Sequence, residues 1–119
     1  MPAVVVPIQF LMEQQIYLVM VAERGEDALD LIYQYKPDLV ILDILLPGID
    51  GYEVCEIIRL DPNCRDVKII FLTAKGREVD IAKGLSLGAD VYITRPFSNT
   101  ELVTKVRELL EKTYEKAKQ

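Results

Sequence analysis

The sequence predicts an α/β fold, with a parallel sheet covered by helices on both faces. Two observations carry that expectation. Short apolar or β-branched runs at Val4–Val6, Tyr17–Val21, Leu39–Leu42, Lys68–Leu72 and Val91–Ile93 alternate with segments whose apolar residues recur at helical spacing. The run Leu39-Val40-Ile41-Leu42 contains no polar residue, which suits a strand buried on both sides. A chain of 119 residues, half of them hydrophobic, is long enough to bury a core, so a single domain over residues 1–119 is expected.

Val4-Val5-Val6 is a β-branched first strand. Pro7 suits the first turn of a helix, and Ile8, Leu11, Met12 and Ile16 continue at helical spacing. This first helix is short. Tyr17 to Val21 reads as the second strand, and Gly25 marks a turn. Ala28, Leu29, Ile32 and Tyr35 form one apolar stripe with Glu26, Asp27 and Asp30 on the other side; Pro37 closes that helix. The third strand ends at Asp43. Pro47-Gly48-Ile49-Asp50-Gly51 is a dense loop signal, and Asp50 with Glu53 resembles a capping box. Val54, Ile57 and Ile58 face inward, and Asp61-Pro62-Asn63 ends the third helix.

Lys68 to Leu72 is the fourth strand, with Thr73 at its carboxyl end. Val79, Ala82, Leu85 and Ser86 mark the inward face of the fourth helix. Gly84 within it costs about 1 kcal/mol against alanine, and Gly88 is placed as a C-terminal stop. Val91-Tyr92-Ile93 is the fifth strand, followed by Thr94-Arg95-Pro96-Phe97. Ser98 with Glu101 forms a capping box, and Leu102, Val103, Val106, Leu109 and Leu110 define the clearest amphipathic helix. That stripe is read as core, with its outer edge open to dimerisation. The tail from Glu111 to Gln119 alternates charge sign and is expected to fray.

Composition excludes several functions. The chain has no histidine, which removes His-based triads, His general bases and most zinc sites. A net charge of -5 argues against non-specific nucleic-acid binding. Cys55 and Cys64 lack CxxC spacing and read as reduced thiols of a cytoplasmic protein without a redox role. No apolar run approaches the roughly 20 residues of a membrane span, so no membrane partner is expected. The apolar start lacks a positive n-region and a cleavage pattern, so it is not read as a signal peptide. Phosphate loops of the GxGxxG or GxxxxGKS kind are absent.

Three polar groups fall at the carboxyl ends of predicted strands: Asp43, Thr73 and Arg95. In an open parallel sheet those ends share one edge, where ligands bind. Each has a plainer reading. Asp43 and Thr73 suit turns, and Arg95 suits an exposed surface. Together they suit an acyl-phosphate site, with a carboxylate nucleophile and a hydroxyl and a guanidinium to hold the anion.

From about Tyr17 to Leu110 the sequence resembles the receiver domain of two-component response regulators. The resemblance rests on Pro37-Asp38-Leu39-Val40-Ile41-Leu42-Asp43, on Leu46-Pro47-Gly48-Ile49-Asp50-Gly51, on Ile69-Ile70-Phe71-Leu72-Thr73-Ala74, and on Gly88-Ala89-Asp90-Val91-Tyr92-Ile93 with Pro96-Phe97. It implies a flavodoxin-like, doubly wound five-stranded sheet of order 2-1-3-4-5. It implies Asp43 as the acceptor of a phosphoryl group from a histidine kinase or phosphotransfer protein. Thr73 is then the phosphoryl contact and switch residue, and Tyr92 the switch aromatic. Mg²⁺ is the implied cofactor, held by Asp43, by the Leu45 backbone carbonyl and by an acidic pair after the first strand. The surface of the fourth helix, fifth strand and fifth helix is the implied signalling face and a possible homodimer surface. Such a module is not an enzyme beyond self-phosphorylation and slow autodephosphorylation at Asp43.

Two departures from the family pattern stand out. No acidic residue precedes Glu13, so the pair after the first strand is missing. Arg95 stands where the family has lysine, and arginine is longer, planar and forked. Mg²⁺ leans on carboxylates, so weak binding and slow phosphorylation are expected. The alternative function is a degenerate pseudo-receiver, a phosphorylation-independent interaction or dimerisation module. A flavin carrier is disfavoured, because residues 6–10 lack the Ser/Thr-rich phosphate cradle.

Overall fold

The apolar runs at Leu39, Lys68 and Val91 form strands, and the amphipathic segments around them form helices. The structure, a computed structural model, describes residues 12–13, 17, 20–43, 48–73, 78–94 and 96–118, with the backbone alone at 73, 78–81 and 112–118. In chain order the elements are α1 (Gly25–Tyr35), β1 (Leu39–Asp43), α2 (Gly51–Leu60), β2 (Lys68–Thr73), α3 (Glu78–Ser86), β3 (Val91–Thr94) and α4 (Asn99–Lys118). Met12 and Glu13 are helical. The expected first strand lies outside the described residues, as do residues 18 and 19 of the expected second strand and most of the short first helix.

The strands pair in parallel in the order β1-β2-β3. This is the 3-4-5 portion of the expected order. Leu42 stands opposite Phe71, and Phe71 opposite Tyr92. Alternation along β2 sends side chains to both faces, as its unbroken apolar run requires. Ile69 and Phe71 join Leu29 and Ile32 of α1 and Val54, Cys55 and Ile58 of α2 in one core. Ile70 and Leu72 join Leu102, Val103, Val106, Leu109 and Leu110 of α4 in the other, together with Met12. Helices therefore cover the sheet on both sides.

Local chemistry sets the helix ends. The Asp50 carboxylate accepts the Glu53 N–H at 2.9 Å and starts α2. The Ser98 hydroxyl accepts the Glu101 N–H at 3.0 Å and starts α4. Lys36 in the left-handed conformation (φ 47°) ends α1 before Pro37. The amino-terminal edge of the sheet is held by Arg59, near the end of α2. Its guanidinium donates to the carbonyls of Gly88 (2.8 Å), Arg65 (2.6 Å) and Val67 (2.6 Å) and to Asp90 Oδ2 (3.0 Å). Asp90 Oδ2 also accepts the Ile69 N–H at 2.8 Å, which ties β2 to the turn before β3.

Two expectations are corrected. Ala82, Leu85 and Ser86 are exposed on α3, and among its described side-chain positions the buried one is Gly84; the expected inward residue Val79 lies outside them. The reason is steric: the Tyr92 ring fills the space beneath Gly84, leaving room for a glycine and no side chain. The segment 111–118 does not fray but continues α4, as its Glu, Lys and Ala content favours. Glu26 lies opposite the apolar stripe, as expected, and its carboxylate also meets the loop after β1.

Candidate functional site

Asp43 closes β1, in register with Leu72, and Thr73 closes β2, in register with Thr94. The carboxyl ends of adjacent parallel strands thus bring Asp43 and the Thr73 backbone to one edge of the sheet, as the sequence predicts. Asp43 is 7% exposed and is the one charged side chain in the buried set among the described residues. A folded chain buries a carboxylate at a cost. Leu45 and Arg95 lie outside the described residues. Thr94, the neighbour of Arg95, ends β3 at the same edge.

Tyr92 lies inside β3, not at the edge. Its ring packs on Phe71 with centroids 5.3 Å apart, and Phe71 packs on Tyr52 of α2 at 5.6 Å. The Tyr92 hydroxyl lies against Gly84, and Lys83 Nζ stands 4.5 Å above the Tyr52 ring. These contacts link α2, β2, β3 and α3 in one stack.

The loop after β1 is docked on the start of α1. Ile49 N–H donates to Glu26 Oε1 in a short hydrogen bond, and Arg24 pairs with Glu26 Oε2 at 3.1 Å. The Ile49 N–H, ahead of the Arg24 contacts, holds the Glu26 carboxyl below its ordinary range. Gly48 adopts φ +73°, and any side chain there collides with the Glu26 carboxylate. A side chain at position 25 collides with the Ile49 carbonyl. The signal for this docking was present in Gly25-Glu26 and Gly48-Ile49, but pairing the two segments needed the fold.

Mg²⁺ is the cofactor implied by the resemblance, and the residues present do not make a carboxylate cage for it. Among the described residues no cluster of three or more His, Cys, Asp or Glu side chains is placed to hold a metal. Glu13, the first acid of the chain, is exposed. Neither cysteine offers a reactive alternative. Both are buried, and burial first of all raises both thiols.

The sequence pattern of the response regulator receiver domain matches residues 2–107. The chain belongs to the receiver-domain family. A Chloroflexus aurantiacus protein assigned as a response regulator is similar at 37% identity and a TM-score of 0.89, over 92% of this chain and 90% of that one. The signal receiver domain of a histidine kinase from Syntrophus aciditrophicus is similar at 30% identity and a TM-score of 0.86, over 93% and 84%. A sensor histidine kinase receiver domain from Pseudomonas aeruginosa, with a magnesium ion coordinated in its active-site cleft, is similar at 28% identity and a TM-score of 0.85, over 93% and 91%. The receiver fold is therefore that of a flavodoxin-like parallel α/β sheet. No helix among the described residues is long and apolar enough to cross a membrane.

Proposed function

We propose that this receiver domain accepts a phosphoryl group at Asp43 from a histidine kinase or phosphotransfer protein. The observation that carries the reading is the buried Asp43 carboxylate at the carboxyl end of β1, beside the strand that ends in Thr73. A carboxylate oxygen attacks phosphorus, the bond from phosphorus to the donor breaks, and an acyl phosphate forms on Asp43. The donor leaves with its bonding electron pair. Thr73 and Arg95 are the groups assigned to hold the new anion. One carboxylate is a poor site for Mg²⁺, so slow labelling is expected. Tyr92 is assigned as the switch aromatic, and the face of α3, β3 and α4 as the surface that passes the change on or pairs two copies. The same reading places the domain in the cytoplasm with its donor.

The test is incubation with acetyl phosphate, with and without Mg²⁺, followed by intact mass. One added phosphoryl group on the wild type and none on Asp43→Asn supports the reading. No gain at saturating donor sinks it and leaves the phosphorylation-independent interaction module.

A further inference from the structure

We propose that Glu26 is a positioning residue for phosphoryl acceptance at Asp43, tying the loop that follows β1 to the start of α1. The inference rests on the proposed function. It concerns an acid that the helical pattern places opposite the apolar stripe and that the family resemblance does not single out.

The argument begins with the ends of the connection. Asp43 is fixed at one end by the β1–β2 ladder, opposite Leu72. At the other end, α2 is fixed by Val54 and Ile58, both fully buried, and by the Asp50 cap. Of the residues between them, Gly48 and Ile49 are described, and where those two are held fixes the far end of the connection. Gly48 is exposed, has no side chain and takes φ +73°, so it has no packing of its own to fix it. Ile49 is half-buried. The polar tie at this point is the Ile49 N–H to the Glu26 carboxylate.

Two further features make this a fitted contact. Gly25 brings the backbone of α1 against the Ile49 carbonyl, where a side chain at position 25 collides. Gly48 presents bare backbone to the Glu26 carboxylate, where a side chain at position 48 collides. Arg24 pairs with the second carboxylate oxygen and orients the first toward Ile49. A nucleophile at a strand end reacts at a rate set by geometry, and small displacements are costly. Freeing the loop adjacent to Asp43 therefore slows phosphoryl acceptance while the sheet and both cores stay intact.

The experiment compares acetyl phosphate labelling rates of the wild type, Glu26→Ala, Glu26→Gln and Asp27→Ala by intact mass. Amide exchange at Gly48 and Ile49 and the thermal midpoint are measured on the same proteins. Loss of one part-buried, charge-assisted hydrogen bond leads us to expect labelling about three- to tenfold slower in Glu26→Ala. Its Gly48 and Ile49 amides exchange faster, and its far-UV spectrum is unchanged. Glutamine keeps an oxygen acceptor for the Ile49 N–H, so Glu26→Gln stays within about twofold of wild type. Asp27→Ala removes the same charge from the same turn and leaves the rate unchanged. Wild-type labelling with an equal rate in Glu26→Ala overturns the inference alone. Equal slowing in Glu26→Gln and Glu26→Ala overturns it as well, since the acceptor is then not what matters. An unlabelled wild type refutes phosphoryl acceptance itself, and the role of Glu26 falls with it.

Discussion

Replacing Arg59 by alanine tests how the amino-terminal edge of the sheet is held. The guanidinium serves four acceptors: the Gly88, Arg65 and Val67 carbonyls at 2.8, 2.6 and 2.6 Å, and Asp90 Oδ2 at 3.0 Å. The side chain is 20% exposed, and Asp90 is 27% exposed. Water reaches part of the network after truncation, so the loss is smaller than four separate bonds to a charged donor. A total of about 3–4 kcal/mol is reasonable, taking about 1 kcal/mol for each acceptor. That is a large share of the 5–15 kcal/mol typical of a domain, roughly. For a chain of this size it lowers the thermal midpoint by about 10–15 °C. Urea and thermal unfolding followed by far-UV circular dichroism measure it. Lysine keeps the charge but concentrates it at one point, so Arg59→Lys is expected to lose about 2 kcal/mol. A double-mutant cycle with Asp90→Asn is expected to give a coupling of about 1 kcal/mol. An Arg59→Ala protein within about 0.5 kcal/mol of wild type, the usual range for a neutral surface change, refutes the reasoning.

Gly84→Ala gains about 1 kcal/mol of helix propensity. Its Cβ nevertheless collides with the Tyr92 hydroxyl, so a net loss of about 1–2 kcal/mol is expected from overpacking. Near-UV circular dichroism should report the displaced Tyr92 ring, and adding Tyr92→Phe should recover part of the loss. Ser98→Ala removes the cap of α4 and is expected to cost about 1 kcal/mol, measured by urea unfolding. The Glu26 carboxyl is held below its ordinary value of 4.5, first by the Ile49 N–H. A lowered folded value means that the contribution of this contact to stability is present above 4.5 and is lost as pH falls through the lower folded value. The Ile49 amide shift should therefore titrate at a pH below 4.5, and a midpoint above it refutes the contact.

Elements whose cause is local were legible in the sequence. The Asp50 and Ser98 caps need one side chain and a backbone N–H three residues on, and both were read correctly. The central strands were legible because burial on two faces leaves unbroken apolar runs. What escaped was long-range. Arg59 sits on a polar position of an amphipathic helix, but two of its acceptors lie 29 and 31 residues away along the chain. Glu26 falls opposite the Leu29 stripe, and the loop it meets begins 22 residues later with Gly48. The face of α3 was misassigned because hydrophobicity marks Ala82 and Leu85, whereas the size of the Tyr92 ring decides the packing. At the candidate site, Asp43 and Thr73 were placed by the rule that parallel strands share a carboxyl edge. Their roles came from resemblance.

How the sheet is held bears on the proposed function. At the amino-terminal edge Arg59 and Asp90 join α2, β2 and the turn before β3 through five hydrogen bonds. Beyond the carboxyl edge the Glu26 carboxylate holds Ile49, and within β3 the Tyr92 ring is seated under Gly84. A new dianion on Asp43 alters charge at the carboxyl edge, about one strand length from the Arg59 network. On the proposed function, the responses to look for are at the Ile49 contact and at Tyr92 where it meets α3. The stack Tyr52–Phe71–Tyr92 joins those two places through contiguous ring contacts of 5.6 and 5.3 Å. Phe71 is fully buried, so the rings at either end cannot reposition without sensing it. Phe71→Leu should accordingly weaken the correlation between loop and Tyr92 shifts on phosphorylation more than Leu72→Ile, which faces the other core. Equal effects of the two substitutions in a two-dimensional NMR titration with beryllofluoride refute the route.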